Sequence, residues 1–561
     1  MKKIFVTILL ISITILTFPS CKEKLEVPKD KVTDGELFIA IKNDVDFFNP
    51  LYSSDIVSGL INDLIFSALT YSEFNSDSSR LIYYPNLARS WEISKDKRSI
   101  TYFLKTNLKW SDGEKFSARD VQYSYFLYTH PEVMSVRQDV ERFFIHDKNG
   151  QVDYKKSFVV LSDSVITFNF SEEVEDPLFV TGLPILPEHI FRKIPLKELF
   201  NHEVNFKPIG VGPFKLENYI RQQQIVLVRN DSTYFDKIPF IKKLIFKVIT
   251  DYNSRINQLK NGEVDFVTDV HPDDAEILKR EYPNIKVETI LGRDYDYIGW
   301  NNIDHNLYRK SNGKIIKPHP LFGNKEIRLA LTMAINRKEI IDGYFGEFAH
   351  LSESPISPIF KGFLDTSLKI IQYNPEEAKR ILYQNGWKDS DGDKILDKDG
   401  KPFKFKLTIA SGKPHREFAA TIIKKDLAKI GIDVEIEILE TSLFFNNLFE
   451  KKLDAWIAGW TVPLDLDLEA FWGSKLNKNF FNVCSYQNSE VDRIFSELRK
   501  VKSLEEKKNL IHRFQKILQN DQPVTFLYWI DNIIAYNKKL KNTKINPIAY
   551  TNRIWEWYIE K

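Results

Sequence analysis

Residues 403–459, FKFKLTIASGKPHREFAATIIKKDLAKIGIDVEIEILETSLFFNNLFEKKLDAWIAG, decide the fold class. Phe403–Ile409 is short, apolar at alternate positions and rich in β-formers, which predicts a strand. From Glu417 to Ile430 the period becomes helical, with Phe418, Ile422, Leu427 and Ile430 on one face and Gly431 past the end. Val434–Ile438 predicts a second strand, Leu443–Lys451 a second helix and Asp454–Gly459 a third strand. A βαβαβ order predicts a largely parallel sheet with helices on its faces, and hence an α/β protein.

The same texture extends outward. Two capped helices follow, Ser489–Lys500 and Leu504–Gln519, then apolar strands near Val524–Trp529 and Asn532–Tyr536. Upstream, Ile225–Val228 and Lys243–Ile249 read as strands. A helix at Asn253–Lys260 is closed by Asn261-Gly262, and Val264–Val267 is again a strand. From Pro85 to Gly182 strands dominate, among them Ser99–Leu104 and Val165–Phe170. A helix from Ala118 to Tyr128 interrupts them, with Ser117 as N-cap and Asp120 in its first turn.

The N-terminus is an address. Lys2 and Lys3 precede an apolar run from Ile4 to Phe18, then Pro19-Ser20-Cys21, which reads as a secretory signal over residues 1–20. A cysteine behind a small residue resembles a bacterial lipobox, in which Cys21 is acylated and becomes the mature N-terminus. Phe18 stands where most lipoboxes carry Leu, and an ordinary signal cleaved nearby is the alternative. Residues 21–34 are charged and poor in large apolar side chains, a linker between lipid and fold.

Once Lys2 and Lys3 leave, 77 basic residues face 77 acidic ones. A balanced surface has no footprint for nucleic acid or for an anionic bilayer, so lipid is the expected membrane attachment. The chain has two cysteines; with Cys21 acylated, Cys484 has no partner for an internal disulfide. Stability must come from a large core, which this length supplies. Aromatics reach 13%, enough to line a cleft as well as to fill a core.

Catalytic signatures are missing. No G-x-S-x-G, H-E-x-x-H, P-loop or G-x-G-x-x-G occurs, and Gly210-Val211-Gly212 runs into Pro213. No enzyme and no cofactor is therefore expected. Asp389, Asp391, Asp393 and Asp397 fall at calcium-loop spacing, but Lys394 replaces the turn glycine and Gly400 the bidentate glutamate. A polar surface turn is the preferred reading.

Several stretches, in order, resemble the family 5 extracellular solute-binding proteins, the peptide- and nickel-type receptors of ABC importers. They begin with Pro85-Asn-Leu-Ala-Arg-Ser-Trp91, Trp110-Ser-Asp-Gly113 and Phe116-Ser-Ala-Arg-Asp-Val121. Leu186-Pro-Glu-His-Ile190, Gly210-Val-Gly-Pro-Phe214 and Asn261-Gly-Glu-Val-Asp265 continue the series. Ala334-Ile-Asn-Arg337 and Asp454-Ala-Trp-Ile-Ala-Gly-Trp460 complete it.

The resemblance implies a bilobed clamp like the type II periplasmic binding proteins, in the large cluster with an extra strand-rich subdomain. Lobe I would comprise residues 35–84, 205–290 and 525–561, its subdomain 85–204, and lobe II 291–524. The implied function is capture of an oligopeptide-like ligand between the lobes for delivery to ABC permease subunits and their ATPases. A monomer, periplasmic or cell-surface and lipid-anchored, is expected. The alternatives are a nickel chelate or oligosaccharide as ligand, or a peptide-binding scaffold or holdase.

Ligands of open α/β sheets sit beyond the carboxyl ends of the strands. That places Trp460 and the loop Thr461–Asp467 at the cleft, with Trp460 as an apolar wall and Asp465 and Asp467 for a cationic group. Capping of the helix ahead of Leu468–Trp472 is the other reading of these two aspartates. Asn49, in Asp46-Phe47-Phe48-Asn49-Pro50, would be a polar contact on the opposite wall or a turn residue. Oligopeptide receptors of the family often carry Asp where this chain has Pro463, which cannot pair with an amine.

Overall fold

The computed structural model describes residues 31–32, 35–231, 239–501 and 503–560. Cys21 and the signal lie outside the described residues. The body is organised around one large mixed sheet. Its strands, numbered in chain order, are β1 Glu36–Ile41, β2 Phe214–Ile220, β3 Gln224–Arg229, β4 Lys243–Val248 and β5 Phe266–Val267. There follow β6 Ile285–Trp300, β7 Ala349–Leu351, β8 Lys404–Ala410, β9 Asp433–Leu439, β10 Ala455–Thr461 and β11 Val524–Asn537. They lie side by side in the order β9-β8-β10-β6-β11-β5-β1-β4-β3-β2, with β7 on β11.

The decisive stretch folds as read: β8 is parallel to both β9 and β10. Its first helix is Pro414–Ala428, which starts earlier than expected because Pro414 takes the first helical position, where a missing N–H costs nothing. Gly431 has a φ of +81°, the left-handed turn that returns the chain to the sheet. Upstream, β5 and β4 both run parallel to β1, which lies between them. The sheet as a whole is not largely parallel, however. The pairs β10–β6, β6–β11, β11–β5, β4–β3 and β3–β2 are antiparallel.

Two long strands correct the sequence reading further. The apolar segments at the C-terminus form a single strand, β11, rather than two. The 16-residue β6 was not foreseen at all. β6 pairs with β11 in two blocks, Ile285–Ile290 against Asn537–Asn532 and Asp294–Gly299 against Ile530–Val524. Between the blocks the register is broken, and a Cβ on Gly292 would lie 1.9 Å from the Ile530 carbonyl oxygen. Only glycine permits that approach.

Cores segregate along this spine. Leu407, Ile423, Leu427 and Ile457 fill one face of the β8–β10 region, and Phe444, Leu448, Trp456 and Ala458 the other, the period-2 alternation of strand side chains. A separate cluster joins Leu37, Ile39, Phe246 and Phe266 to a four-stranded antiparallel sheet whose two inner strands are Ser99–Leu104 and Val165–Asn169. In that sheet's helix, Ala118–Thr129, Ser117 and Asp120 form the reciprocal capping box.

The halves also touch beside the spine. The hairpin Thr70–Asn75/Arg80–Pro85 sets Phe74 edge-on to Phe360 at 5.3 Å, and Asp77 accepts from Lys361 at 2.9 Å. No helix among the described residues is long and apolar enough to cross a membrane.

Candidate functional site

β10 ends at Trp460-Thr461, beside the break in β6. In the β6–β10 ladder Tyr295 faces Trp460 and Asp294 faces Thr461. Trp460 is half-buried and packs edge-on against Phe471 at 5.3 Å and Phe481 at 5.5 Å. With Tyr295, Thr461, Val462, Pro463 and Leu468, the Trp460 and Phe471 rings line a shallow surface depression. The aromatic surface continues through Phe481 to Phe480, which is 59% exposed and stacks on Phe449 at 4.5 Å.

Asp465 and Asp467 are exposed, and each fastens the loop. Asp465 Oδ1 accepts from the Asp467 N–H at 3.0 Å, and Asp467 Oδ1 from the Glu469 N–H at 3.3 Å. Neither is the N-cap of the helix Glu469–Trp472; that position belongs to Leu468, which makes no side-chain cap.

Asn49 is not on an open wall. It is fully buried, its Nδ2 donates to Asn205 Oδ1 at 2.7 Å, and its Oδ1 accepts from the Leu51 N–H at 3.0 Å. Asn49 therefore pins the loop after β1 to residues 199–206. What this loop presents is aromatic: Phe47 packs on Phe200 at 5.5 Å and Phe206 at 5.9 Å, and the latter two are over two-fifths exposed.

Polar groups missed by the sequence reading gather where β6 breaks register. Arg293 Nη1 donates to the Val462 carbonyl at 2.8 Å, and the Val462 N–H returns to the Arg293 carbonyl at 3.0 Å. The Thr461 hydroxyl donates to Asp294 Oδ1. Tyr550 sits beside them; burial, then Asp269 and Asp294, push its phenol well above the usual range. The signal that could have revealed this corner was Gly292, which follows the alternation of Ile285, Val287, Thr289 and Leu291 with charged or apolar neighbours.

One layer deeper, Asp296 is buried and receives Arg416 through two hydrogen bonds, with His415 Nε2 at 3.3 Å. Burial opposes its charge, but Arg416 and His415 hold the carboxyl well below the usual range. A Cβ on Gly459 would lie 2.2 Å from Asp296 Oδ1, so the strand can pass only as glycine.

Two groups were tested as cation sites. Asp389, Asp391 and Asp393 converge, but Asp389 accepts from the N–H groups of Gly392 and Lys394, and Asp393 from that of Ile395. Asp397 has turned away to Ser390. The loop's carboxylates accept from its own N–H groups. His305, His319 and Asp454 also converge. His319 Nδ1 accepts from the Leu321 and Phe322 N–H groups, which leaves its proton on Nε2, facing Asp454 at 3.1 Å. That tautomer offers a hydrogen bond rather than a lone pair to a metal.

The chain as a whole has clear relatives. Residues 83–482 match the model described as "Bacterial extracellular solute-binding proteins, family 5 Middle". The oligopeptide-binding protein AppA of Bacillus subtilis is 31% identical over 540 residues, 94% of this chain and 92% of the relative. The solved structure of AppA from Bacillus subtilis with a nonapeptide superposes with a TM-score of 0.71 at 28% identity, covering 95% of this chain and all of that one. NikZ from Campylobacter jejuni, solved with Ni(L-His), gives a TM-score of 0.70 at 26% identity, with 95% and 100% covered. The fold is thus the bilobed α/β clamp of the periplasmic binding proteins, and the chain belongs to the family 5 bacterial extracellular solute-binding proteins.

Proposed function

We propose that this protein is the extracytoplasmic receptor of an ABC importer, closing two lobes on an oligopeptide and presenting it to a permease. The observation that carries this is the end-to-end similarity to an oligopeptide-binding protein solved around a nonapeptide. The exposed aromatic surfaces after β1 and β10 support it, because a clamp needs apolar walls at strand ends on both lobes.

In this reading lobe I is residues 35–84, 205–290 and 525–561 with the subdomain 85–204, and lobe II is 291–524. Rotation is absorbed at Leu291–Arg293 and Asp531, where β6 and β11 lose register. Trp460 walls an apolar ligand group, and Asp465 and Asp467 border the opening. Cys21 carries the lipid, the partners are permease subunits with their ATPases, and the receptor acts as a monomer. No catalytic step is required: the ligand leaves unchanged.

Ligand should raise the melting temperature by mass action, about 2.7 kcal/mol of added stability at one hundred times Kd. Calorimetry against tri- to nonapeptides tests this. If every peptide leaves the melting temperature unmoved, the peptide reading fails. A nickel–histidine chelate belongs in the same panel, since NikZ was solved with one and Pro463 removes an amine-pairing carboxylate.

A further inference from the structure

The receptor reading leaves open which group of this chain meets a positive charge on the ligand. Pro463 cannot, and Asp465 and Asp467 each spend one oxygen on the turn they occupy. Asp294 stands differently. It forms the last β6–β10 pair, opposite Thr461, at the carboxyl end of β10 where the loop to Asp467 begins. Its side chain is exposed although Tyr295 and Asp296, next in the strand, are buried.

The carboxylate is also held and half-used. Thr461 donates to Oδ1, and no hydrogen-bond or ion-pair partner among the described residues reaches Oδ2. The neighbouring Arg293 is hydrogen-bonded elsewhere but remains electrostatically coupled to Asp294. Its guanidinium donates to the Val462 carbonyl, and burial lowers its basicity while Asp294 raises it. Across the junction, Asp269 follows β5 in the other half of the sheet and lies 3.5 Å from Lys42, both half-exposed. Asp269 and Asp294 act on the same Tyr550 hydroxyl.

We propose that Asp294, held by Thr461, is the group that pairs with a primary ammonium of the bound ligand. This rests on the receptor reading above and deepens it: the favoured ligands are peptides that bring a free ammonium to the floor of the cleft. The ammonium can come from the peptide N-terminus or from a lysine side chain, and both present the same three donors to a carboxylate.

The test uses three mixtures of random pentapeptides on full-length mature protein, with retention read by native mass spectrometry and affinity by calorimetry. One mixture, built from Ala, Ser, Leu and Phe, has a free amine; a second is the same but N-acetylated; a third is N-acetylated with one Lys. Wild type should prefer the free-amine or the Lys mixture over the second by at least about tenfold, near 1.4 kcal/mol. Which of the two it prefers identifies the source of the ammonium. Asp294→Asn should bring that ratio within about threefold without moving the melting temperature of the unliganded protein. Thr461→Val, which keeps the carboxylate but frees it, should lose part of the preference. Equal binding of all three mixtures by wild type, or a preference undiminished in Asp294→Asn, overturns the proposal while leaving the receptor reading intact. Failure of every mixture to bind removes the peptide reading on which the proposal rests, and the proposal with it.

Discussion

Arg416 grips Asp296 with two nitrogens, Nε at 2.9 Å from one carboxylate oxygen and Nη2 at 2.7 Å from the other. The pair ties the first turn of the helix Pro414–Ala428 to β6, two residues along the strand from Asp294. Both side chains are nearly or fully out of water, so neither charge tolerates loss of the other.

Removal of one partner should therefore be far worse than removal of both. Asp296→Ala should cost about 3–5 kcal/mol, and the double change with Arg416→Met distinctly less than the sum. Urea unfolding of the three variants measures this. The pH dependence follows from the sign of the shift. The folded carboxyl is depressed below its unfolded value near 3.9, so its stabilisation is complete above that pH and falls away as acid approaches the folded value. Wild type should lose stability below about pH 4 more steeply than an Asp296→Asn variant.

Gly459 is the space this ion pair needs. A methyl group there would meet Asp296 Oδ1, the Tyr295 carbonyl and Arg416 Nη2, all within 3 Å. Gly459→Ala should destabilise by about 1–3 kcal/mol, as overpacking does. An unchanged denaturation midpoint would contradict the packing described.

Trp460 should behave as an anchor. Truncation of a central interface tryptophan costs roughly 2 kcal/mol or more, so Trp460→Ala should weaken the best peptide by about thirtyfold, whereas Trp460→Phe should keep most of the affinity. Calorimetric titration decides it. Equal affinity for Trp460→Ala would place the ligand elsewhere.

Asp120, inside the capping box, should titrate late. Burial raises its carboxyl to about 6, against the N–H groups of Ser117 and Glu188 that stabilise the charge. A folded value above the unfolded one means that folding takes up a proton, so this residue adds stability as pH falls from 7 toward 4. A carboxyl carbon-shift titration should show a midpoint near 6, and one near 4 would refute the assignment.

The sequence made the local alternations of β8, β9 and β10 legible because each lies in a βαβ unit whose periods change within a few residues. The helix start at Ser117 was legible from its polar cap, whereas the helix Thr441–Phe449, capped by Glu440, was read two residues late. β6 was hidden because its own pattern is broken: Gly292, Arg293 and Asp294 interrupt the apolar run at the register break. Trp460 could be placed from its position at a strand end. Asn49 takes the turn role that the sequence offered beside the wall contact, while its burial depends on Asn205, distant in the chain. Asp294 and Tyr550 gave no local signal, since only tertiary folding brings them together.

β11 is the strand that β6 and β5 have in common, and it is the last strand of this sheet in chain order. Until it arrives, β9-β8-β10-β6 and β5-β1-β4-β3-β2 are two separate fragments, each with a raw edge where the missing strand belongs. A ribosome must therefore release nearly the whole polypeptide before either fragment can close. Deletion of the last forty residues, which removes β11, should abolish folding altogether rather than trim a tail.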